Sequence, residues 1–444
     1  MTHSLDLLSD LIRRAKAAGA DAADAVAYES ASVSVTRRFG KTEKLERSES
    51  ADLGLRVFVG KGQAIVSSTD RAEETLAQLA ERAVAMARLA PEDPYAGVAD
   101  PDQIVREWGD MDVCDPVEPA VEALIEDANT AEAAALAVPG VTNSEGGDAS
   151  WSRSDIWLAA SNGFAGGYAV SRRSISASVL AGEGLGMERD YDYDSKVYGE
   201  DLRAAADIGA EAGRRAVRRL NPRKVKSCQV PVVFDPRQSR ALLSHLISAI
   251  SGPSVARGTS FLKDKLGQRI FPESVNIIDD PFVRRGLRSR PFDSEGLAVS
   301  RRALIENGVL TTWLLDLRSA RQLGLNSTGH AARGASGPPG PAPANVWMEP
   351  GKVSVKDLIA DIREGFYVVE TMGMGVNGVT GDYSKGAAGF WIENGEIAYP
   401  VSEITIASNL NDMMLNLTAA DDLEMRYGVD APTLRIEGMT VAGS

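Results

Sequence analysis

Between Phe366 and Asn411 the chain enters as an apolar strand, dissolves into glycine, and returns as two strand-like runs joined by Asn394-Gly395. Glycine at that density, beside Asn, Asp, Tyr, Ser and Lys, marks backbone that approaches a ligand or a partner closely. Gly373-Met374-Gly375-Val376-Asn377-Gly378 is a literal G-x-G-x-x-G. That fingerprint holds a pyrophosphate only where a helix starts directly after the glycines. Here Val379-Thr380-Gly381-Asp382-Tyr383-Ser384-Lys385-Gly386 follows, too rich in glycine to nucleate a helix. The next element, Phe390 to Ile392, reads as strand, and Glu393 falls in a turn instead of at a ribose. Lys385 belongs to no GK[ST] sequence, so a P-loop is not indicated either. The segment is read as part of a β domain.

The chain before it alternates helices and strands. Leu5, Leu8, Ile12 and Ala15 recur at helical spacing, with Gly19 as the stop. Short β runs follow at Ala25–Tyr28, Ser32–Arg38 and Leu53–Val59, the last pairing with Gln63–Ser67 across Gly60-Lys61-Gly62. Asp70 is positioned to cap a helix whose Leu76, Leu79, Ala83 and Met86 share one face. A Pro- and Asp-rich connection over residues 91–116 leads to a helix over Val117–Ala137. A β-rich region follows, with a turn at Asn162-Gly163. Tyr191–Tyr198 (YDYDSKVY) is polar and reads as a loop, before a helix from about Asp201 to Leu220.

Asn221-Pro222 ends that helix, and the main boundary is placed there. The expectation is an α+β protein: a mixed α/β domain over residues 1–224 and a mostly antiparallel, barrel-like β domain over residues 225–444. The second domain opens strand–Asp235–helix, with Leu242, Leu243, Leu246, Ile247 and Ile250 as the helix's apolar stripe. Two Asn-Gly pairs, Asn307-Gly308 and Asn394-Gly395, predict type I′ hairpins in one antiparallel sheet or barrel. Between them, Gly334–Asn345 is too rich in Gly and Pro for helix or strand and reads as a surface loop.

A chain of 444 residues suggests two or three domains, and its net charge of −14 argues against a nonspecific DNA binder. Arg284, Arg285, Arg288 and Arg290 form the best basic cluster and read as a solvated loop or strand face. Two cysteines, Cys114 and Cys228, preclude a disulfide framework and fit a reducing compartment. There is no signal-like start and no apolar run long enough to span a bilayer, so the expectation is a cytoplasmic protein away from membranes.

Chemistry is sparse. The three histidines are His3, His245 and His330, and only His245 sits on an expected helix, with no second His or adjacent Glu. Ser260-Phe261-Leu262-Lys263 matches S-x-x-K, but its usual companions S-D-N and K-T-G are absent. The acidic pairs Asp279-Asp280 and Asp421-Asp422 fall at expected turns and read as solvated or capping. These residues do not compose a self-sufficient hydrolase.

Three stretches, Leu242–Phe271, Arg290–Asp316 and Gly375–Leu410, resemble the TldD/PmbA family, often described as modulators of DNA gyrase, on its PmbA or TldE side. The resemblance implies a heterodimer of two similar chains acting as a zinc metallopeptidase on small or unfolded peptides, among them a peptide-antibiotic precursor and an antitoxin. It implies that the zinc belongs to the TldD-like partner, on a helix carrying HExxxH and completed by a C-terminal cysteine. Here the corresponding helix reads LSHLISAIS, and Leu423–Ser444 holds no Cys. No catalytic residue, metal ligand or cofactor carries over, except His245 as a vestige of the metal site. Asn377, Gly378, Gly381, Tyr383 and Ser384 are then the candidates for contacting a peptide or the partner, through main-chain pairing along exposed strands. A homodimer in the partner's absence is left open. The alternatives are a stand-alone hydrolase using Ser260 and Lys263 or an unrecognised metal site, and a gyrase-modulating binding protein.

Overall fold

The computed structural model describes residues 2–443. Helix α1 (Thr2–Ala17) leads into β1 (Ala22–Arg38), β2 (Lys41–Val59), β3 (Gly62–Ser68) and α2 (Glu73–Leu89). After the 91–116 connection come α3 (Val121–Leu136), β4 (Val141–Ala160), β5 (Ala165–Ala181), β6 (Glu188–Lys196) and α4 (Ala205–Arg218). The strands form one antiparallel sheet in the order β3-β2-β1-β4-β5-β6. The two short runs expected at Ala25–Tyr28 and Ser32–Arg38 are one strand. Ladders on both sides carry the polar residues between them, with Glu29 opposite both Ala51 and Asp155.

Strand periodicity divides the faces. Odd-numbered β1 residues Ala23, Ala25, Ala27, Val33 and Val35 are buried beneath helices. Leu8 and Leu11 of α1 with Leu76 and Leu79 of α2 cover one end, and Leu124 of α3 with Ile208 of α4 cover the other. Val26 faces the opposite way, packing with Leu158 of β4 and with Phe292, Leu297 and Leu317 from the second half. Asp70 accepts hydrogen bonds from Ala72 N and Thr75 Oγ1 just ahead of α2, whereas Met86 is exposed instead of sharing the buried face.

Tyr191–Tyr198 corrects the sequence reading, because most of it lies in β6, paired with β5. Its acids are ordered by period two: Asp190, Asp192 and Asp194 are buried. Asp192 meets Arg203 at 2.7 Å and Arg215 at 2.9 Å, and Asp190 meets Arg237 at 2.9 Å. Carboxylates disfavour a strand considered alone. Here arginines distant in sequence supply their partners.

The second half opens with β7 (Cys228–Phe234), α5 (Pro236–Ala249) and α6 (Gly252–Ala256). Next come β8 (Ile277–Asp280), β9 (Arg302–Glu306), β10 (Val309–Leu310), β11 (Ala331–Ala332), β12 (Gly340–Pro341) and β13 (Asn345–Met348). The chain ends with β14 (Glu364–Met372), β15 (Asp382–Glu393), β16 (Glu396–Asn409), β17 (Leu417–Ala419), β18 (Val429–Asp430) and β19 (Leu434–Ala442). β7, β14, β15, β16 and β19 pair in a ring that closes through β16–β19, a five-stranded barrel with β17 appended. Closure leaves the ring without a free edge.

Both Asn-Gly turns have the predicted geometry, with φ of 49° and 77° at Asn307-Gly308 and 50° and 81° at Asn394-Gly395. They do not share a sheet, however. The first joins β9 and β10 in a separate sheet ordered β10-β9-β8-β13-β18, and the second joins β15 and β16 of the barrel. Turn chemistry sets a hairpin but not its neighbours. Gly334–Asn345 is also not wholly loop: Gly340–Pro341 pairs with β11, and Asn345 begins β13.

Helix α5 is assembled as its sequence dictates. Asp235 accepts the Arg237 N–H at its N-terminus and Pro236 occupies the first turn. Leu242, Leu243, Leu246 and Ile250 pack into the barrel core with Phe234, Phe366 and Ile406.

Candidate binding site at helix α5 and the glycine-rich loop

The loop between β14 and β15 is followed by a strand, so no helix N-terminus stands behind its glycines. It is bonded to itself. Ser384 N–H donates to Gly375 O at 2.7 Å, Gly381 N–H to Asn377 O at 2.8 Å, and Val379 N–H to Asn377 Oδ1 at 2.9 Å. A Cβ on Gly375 would stand 1.6 Å from the Ser384 carbonyl, so no side chain fits there. Gly381 has φ of 82°, with Asn409 Oδ1 2.9 Å from its Cβ position. Gly378 differs: the nearest atom to its Cβ position is Thr259 O at 4.0 Å, so nothing within the chain requires glycine.

Beneath this loop lies a cavity of about 340 Å³ with an apolar lining that includes Ala249, Phe261, Met374, Val376 and Leu410. A second cavity of about 380 Å³ is lined by Tyr191, Tyr193, Arg237, Arg240 and Tyr427. His245 and Lys385 line both. Tyr383 and Lys385 are two residues apart in regular β15 pairing and project to the same side.

The His245 ring meets the Tyr383 ring edge-on at 6.1 Å, and its Nε2 is buried without a hydrogen-bond partner. Burial first, and then the Lys385 ammonium, push its pKa below the usual imidazole range, which favours the neutral ring. Burial pushes the Tyr383 hydroxyl up, so it stays protonated. In the second cavity the Arg240 guanidinium lies 4.4 Å from the centre of the Tyr427 ring and donates to Tyr193 Oη at 3.0 Å. Tyr427 Oη is buried and unbonded. Its pKa is pushed up to about 12, chiefly by burial.

The sequence candidates fall in different places. Gly378 lines the first cavity, and Asn377 is exposed with its amide oxygen committed to the loop. Gly381 serves the turn and Ser384 is exposed, whereas Tyr383 is buried against the barrel core. Sequence reasoning missed Arg240, Tyr427, Phe261 and Met374. One signal was available for the first: Arg237, Arg240, Ser244, His245 and Ser248 recur on the helix face opposite the apolar stripe.

The hydrolase dyad is not assembled. Ser260 Oγ is buried, donates to Ala249 O at 2.6 Å and accepts from Leu262 N–H at 3.0 Å, while Lys263 is exposed. Most of the basic cluster is consumed internally: Arg284 pairs with Asp112, Arg285 with Asp112, Glu200 and Asp201, and Arg290 donates to Ala342 O. Asp279 corrects the turn assignment. It is buried in β8 with its Oδ2 2.6 Å from His330 Nε2, and His330 Nδ1 is 2.7 Å from Thr328 Oγ1. Its neighbour Asp280 does cap, accepting from Phe282 N–H at 2.7 Å.

Among the described residues, no group of three or more His, Cys, Asp or Glu side chains is placed to hold a metal ion. The zinc ligand set implied for the family's catalytic branch therefore does not fit this chain. No helix among the described residues is long and apolar enough to cross a membrane.

Comparison with known proteins identifies the family. Three domain descriptions match: PmbA/TldA metallopeptidase domain 1 over residues 23–87, the central domain over 114–220, and the C-terminal domain over 227–443. The chain belongs to the PmbA/TldD metallopeptidase family. It is 39% identical to Metalloprotease PmbA of Escherichia coli O157:H7 over 95% of its own length and 92% of that protein. It is 36% identical to a Metalloprotease PmbA homolog of Haemophilus influenzae, covering 98% and 95% respectively. A Bacteroides thetaiotaomicron structure named for modulation of DNA gyrase aligns over all of both chains with a TM-score of 0.91 and 28% identity. TldE from Thermococcus kodakarensis shares the fold, with a TM-score of 0.84 and 23% identity over 98% of this chain and all of that one. The family bears the name metallopeptidase, and among the described residues of this PmbA/TldD chain no group of metal-ligating side chains forms at α5.

Proposed function

We propose that this chain is the TldE-like, metal-free subunit of a two-chain metallopeptidase whose zinc is carried by a TldD-like partner. One observation carries the reading. At the helix where the catalytic branch is expected to hold HExxxH, this chain offers a single histidine with an unbonded Nε2 and, among the described residues, no second ligand. What it retains there is a cavity with an apolar lining, framed by a glycine-rich loop. Such a cavity suits an extended, unfolded peptide or a small one, of the kind represented by antibiotic precursors and antitoxins, in the cytoplasm. Gly378, open to the cavity and unconstrained by its own chain, is the loop position best placed to meet that peptide or the partner. The chain's role is to hold and present the peptide, and hydrolysis takes place at the partner's metal.

The test is to purify the chain alone and mixed with the TldD-like protein of the same cell, then measure bound zinc and cleavage of an unstructured peptide. Activity only in the mixture, abolished by mutating the partner's HExxxH, is the expected outcome. Stoichiometric zinc and cleavage by the isolated chain would overturn the reading.

A further inference from the structure

The cations around α5 are used in two ways. Arg237 is neutralised by Asp190 at 2.9 Å and by Asp235 at 3.4 Å. Arg426 lies within 3.6 Å of Glu424 and 3.9 Å of Asp192. Arg240 and Lys385 form no ion pair among the described residues. Arg240 bonds only the neutral Tyr193 hydroxyl and lies over Tyr427, and Lys385 Nζ lies 5.9 Å from the centre of the Tyr383 ring without a hydrogen-bond acceptor. The acid that senses Arg240, Asp430, is occupied elsewhere, accepting Tyr427 N–H at 2.9 Å and Gly428 N–H at 3.0 Å.

Two further polar atoms at the same place lack partners, Tyr427 Oη and His245 Nε2, both buried. A buried polar atom without a partner costs about 1–3 kcal/mol, so two of them beside two unpaired cations form a set that a ligand completes. The set is rich in donors: the remaining N–H groups of a guanidinium, an ammonium, and a phenol held protonated. It therefore matches an anion, and a guanidinium fork matches a planar carboxylate in particular. In a chain of net charge −14, two neighbouring cations without a carboxylate partner do not follow from composition.

We propose that the two cavities joined at His245 and Lys385 bind the C-terminal end of a peptide. Its terminal carboxylate is held by Arg240, Lys385 and Tyr427, and its last side chain occupies the cavity beside Phe261 and Met374. This rests on the reading that the chain handles peptides, and it names which end of the peptide the chain recognises. The adjoining cavity gives the second half of the match, because Ala249, Phe261, Val376 and Leu410 offer an apolar side chain a place to be buried. Met374, almost fully exposed on the glycine-rich loop, is an adaptable cover for side chains of different shape.

The experiment uses the isolated full chain and fluorescence anisotropy with three labelled hexapeptides. The first ends in Phe with a free carboxylate, the second is the same peptide amidated, and the third is amidated with Glu next to last. The free acid is expected to bind at least about tenfold tighter than the amide, the scale of one charge-assisted hydrogen bond. Lys385→Met and Arg240→Gln are each expected to bring the free acid toward the amide's affinity while leaving the amide unchanged. The Lys385 side chain makes no hydrogen bond among the described residues, so K385M is the variant that isolates binding from folding, and circular dichroism checks both. Equal binding of acid and amide overturns the proposal, as does a folded K385M–R240Q double variant that keeps the preference. If the Glu-containing amide binds as tightly as the free acid, the site reads a side-chain carboxylate and the terminal assignment fails. Because cleavage is not measured, these outcomes leave the two-chain reading untouched; zinc and activity in the isolated chain would overturn that reading and not this one.

Discussion

At the seam between the N-terminal sheet and the second half, Arg56 and Arg333 converge on Asp24, and all three side chains are buried. Arg56 Nε donates to Asp24 Oδ2 at 2.8 Å, and Glu295 stands 3.9 Å from the same guanidinium. Farther along, the β6 acids meet Arg203, Arg215 and Arg237 in the same paired fashion. At α5, less than a helix turn from Arg237, Arg240 has no carboxylate partner among the described residues, and neither has Lys385 on β15. The difference separates two uses of charge. A fully buried ion must be paired to exist at all, so the seam pairs are part of how the halves recognise each other. A half-buried cation can stay solvated until a ligand arrives, so the α5 cations are free to be functional.

Removing the anion at the seam is the most severe way to break this comparison. Asp24→Ala leaves Arg56 and Arg333 buried without their shared partner, and is expected to cost about 3–5 kcal/mol. Urea unfolding measures it, and a loss below about 1 kcal/mol would place the seam charges in the same class as ordinary surface pairs.

A middle-sized effect concerns pH. Burial, and then Asp293, push the Glu295 carboxyl from 4.5 up to about 8, so at neutral pH it is protonated in the fold and ionised in the unfolded chain. A raised acid pKa means that stability from this group is complete below its unfolded pKa and is lost as pH rises through the folded one. Stability should therefore decline between about pH 4.5 and 8, and Glu295→Gln should flatten that decline while keeping an acceptor for the Leu317 N–H, 2.8 Å away. Urea midpoints of the two proteins across this range test it; parallel curves would show that Glu295 is not the titrating group. The smallest effect belongs to the site. Lys385→Met should change folding stability by no more than about 0.5 kcal/mol, as at positions without a structural partner. A loss as large as that of Asp24→Ala would mean that Lys385 is a seam residue after all.

Much of the local structure was legible in the chain. Asn307-Gly308 and Asn394-Gly395 turn as their residues require, because only residues that tolerate positive φ fit a type I′ turn. Asp235-Pro236 starts α5, and the stripe Leu242, Leu243, Leu246 and Ile250 packs into the barrel. The family resemblance was legible too, through the segments around His245 and after Gly375. What local reading misjudged was polar. Tyr191–Tyr198 read as loop and Asp279 as a turn residue because acids favour water until a partner is known. Their partners, Arg203, Arg215, Arg237 and His330, lie 11 to 51 residues away. Of the residues proposed for peptide or partner contact, Gly378 lines the first cavity and Tyr383 is buried against the core, while Arg240 and Tyr427 were not among the candidates.

The glycine-rich segment from Phe366 to Asn411 shows where the division lies. Its sequence alone excluded a phosphate cradle and called for strand, loop and hairpin, since helix nucleation and turn geometry depend on neighbouring residues. Which of its glycines are required was decided by the fold: Gly375 by a carbonyl across the loop, Gly381 by its positive φ, and Gly378 by nothing in the chain. The closing of five strands into a barrel, the pairing of the seam charges, and the meeting of Arg240 with Tyr427 and of His245 with Lys385 were likewise tertiary. Propensity and periodicity act over a few residues, whereas burial and ion pairing depend on which distant segments share a volume.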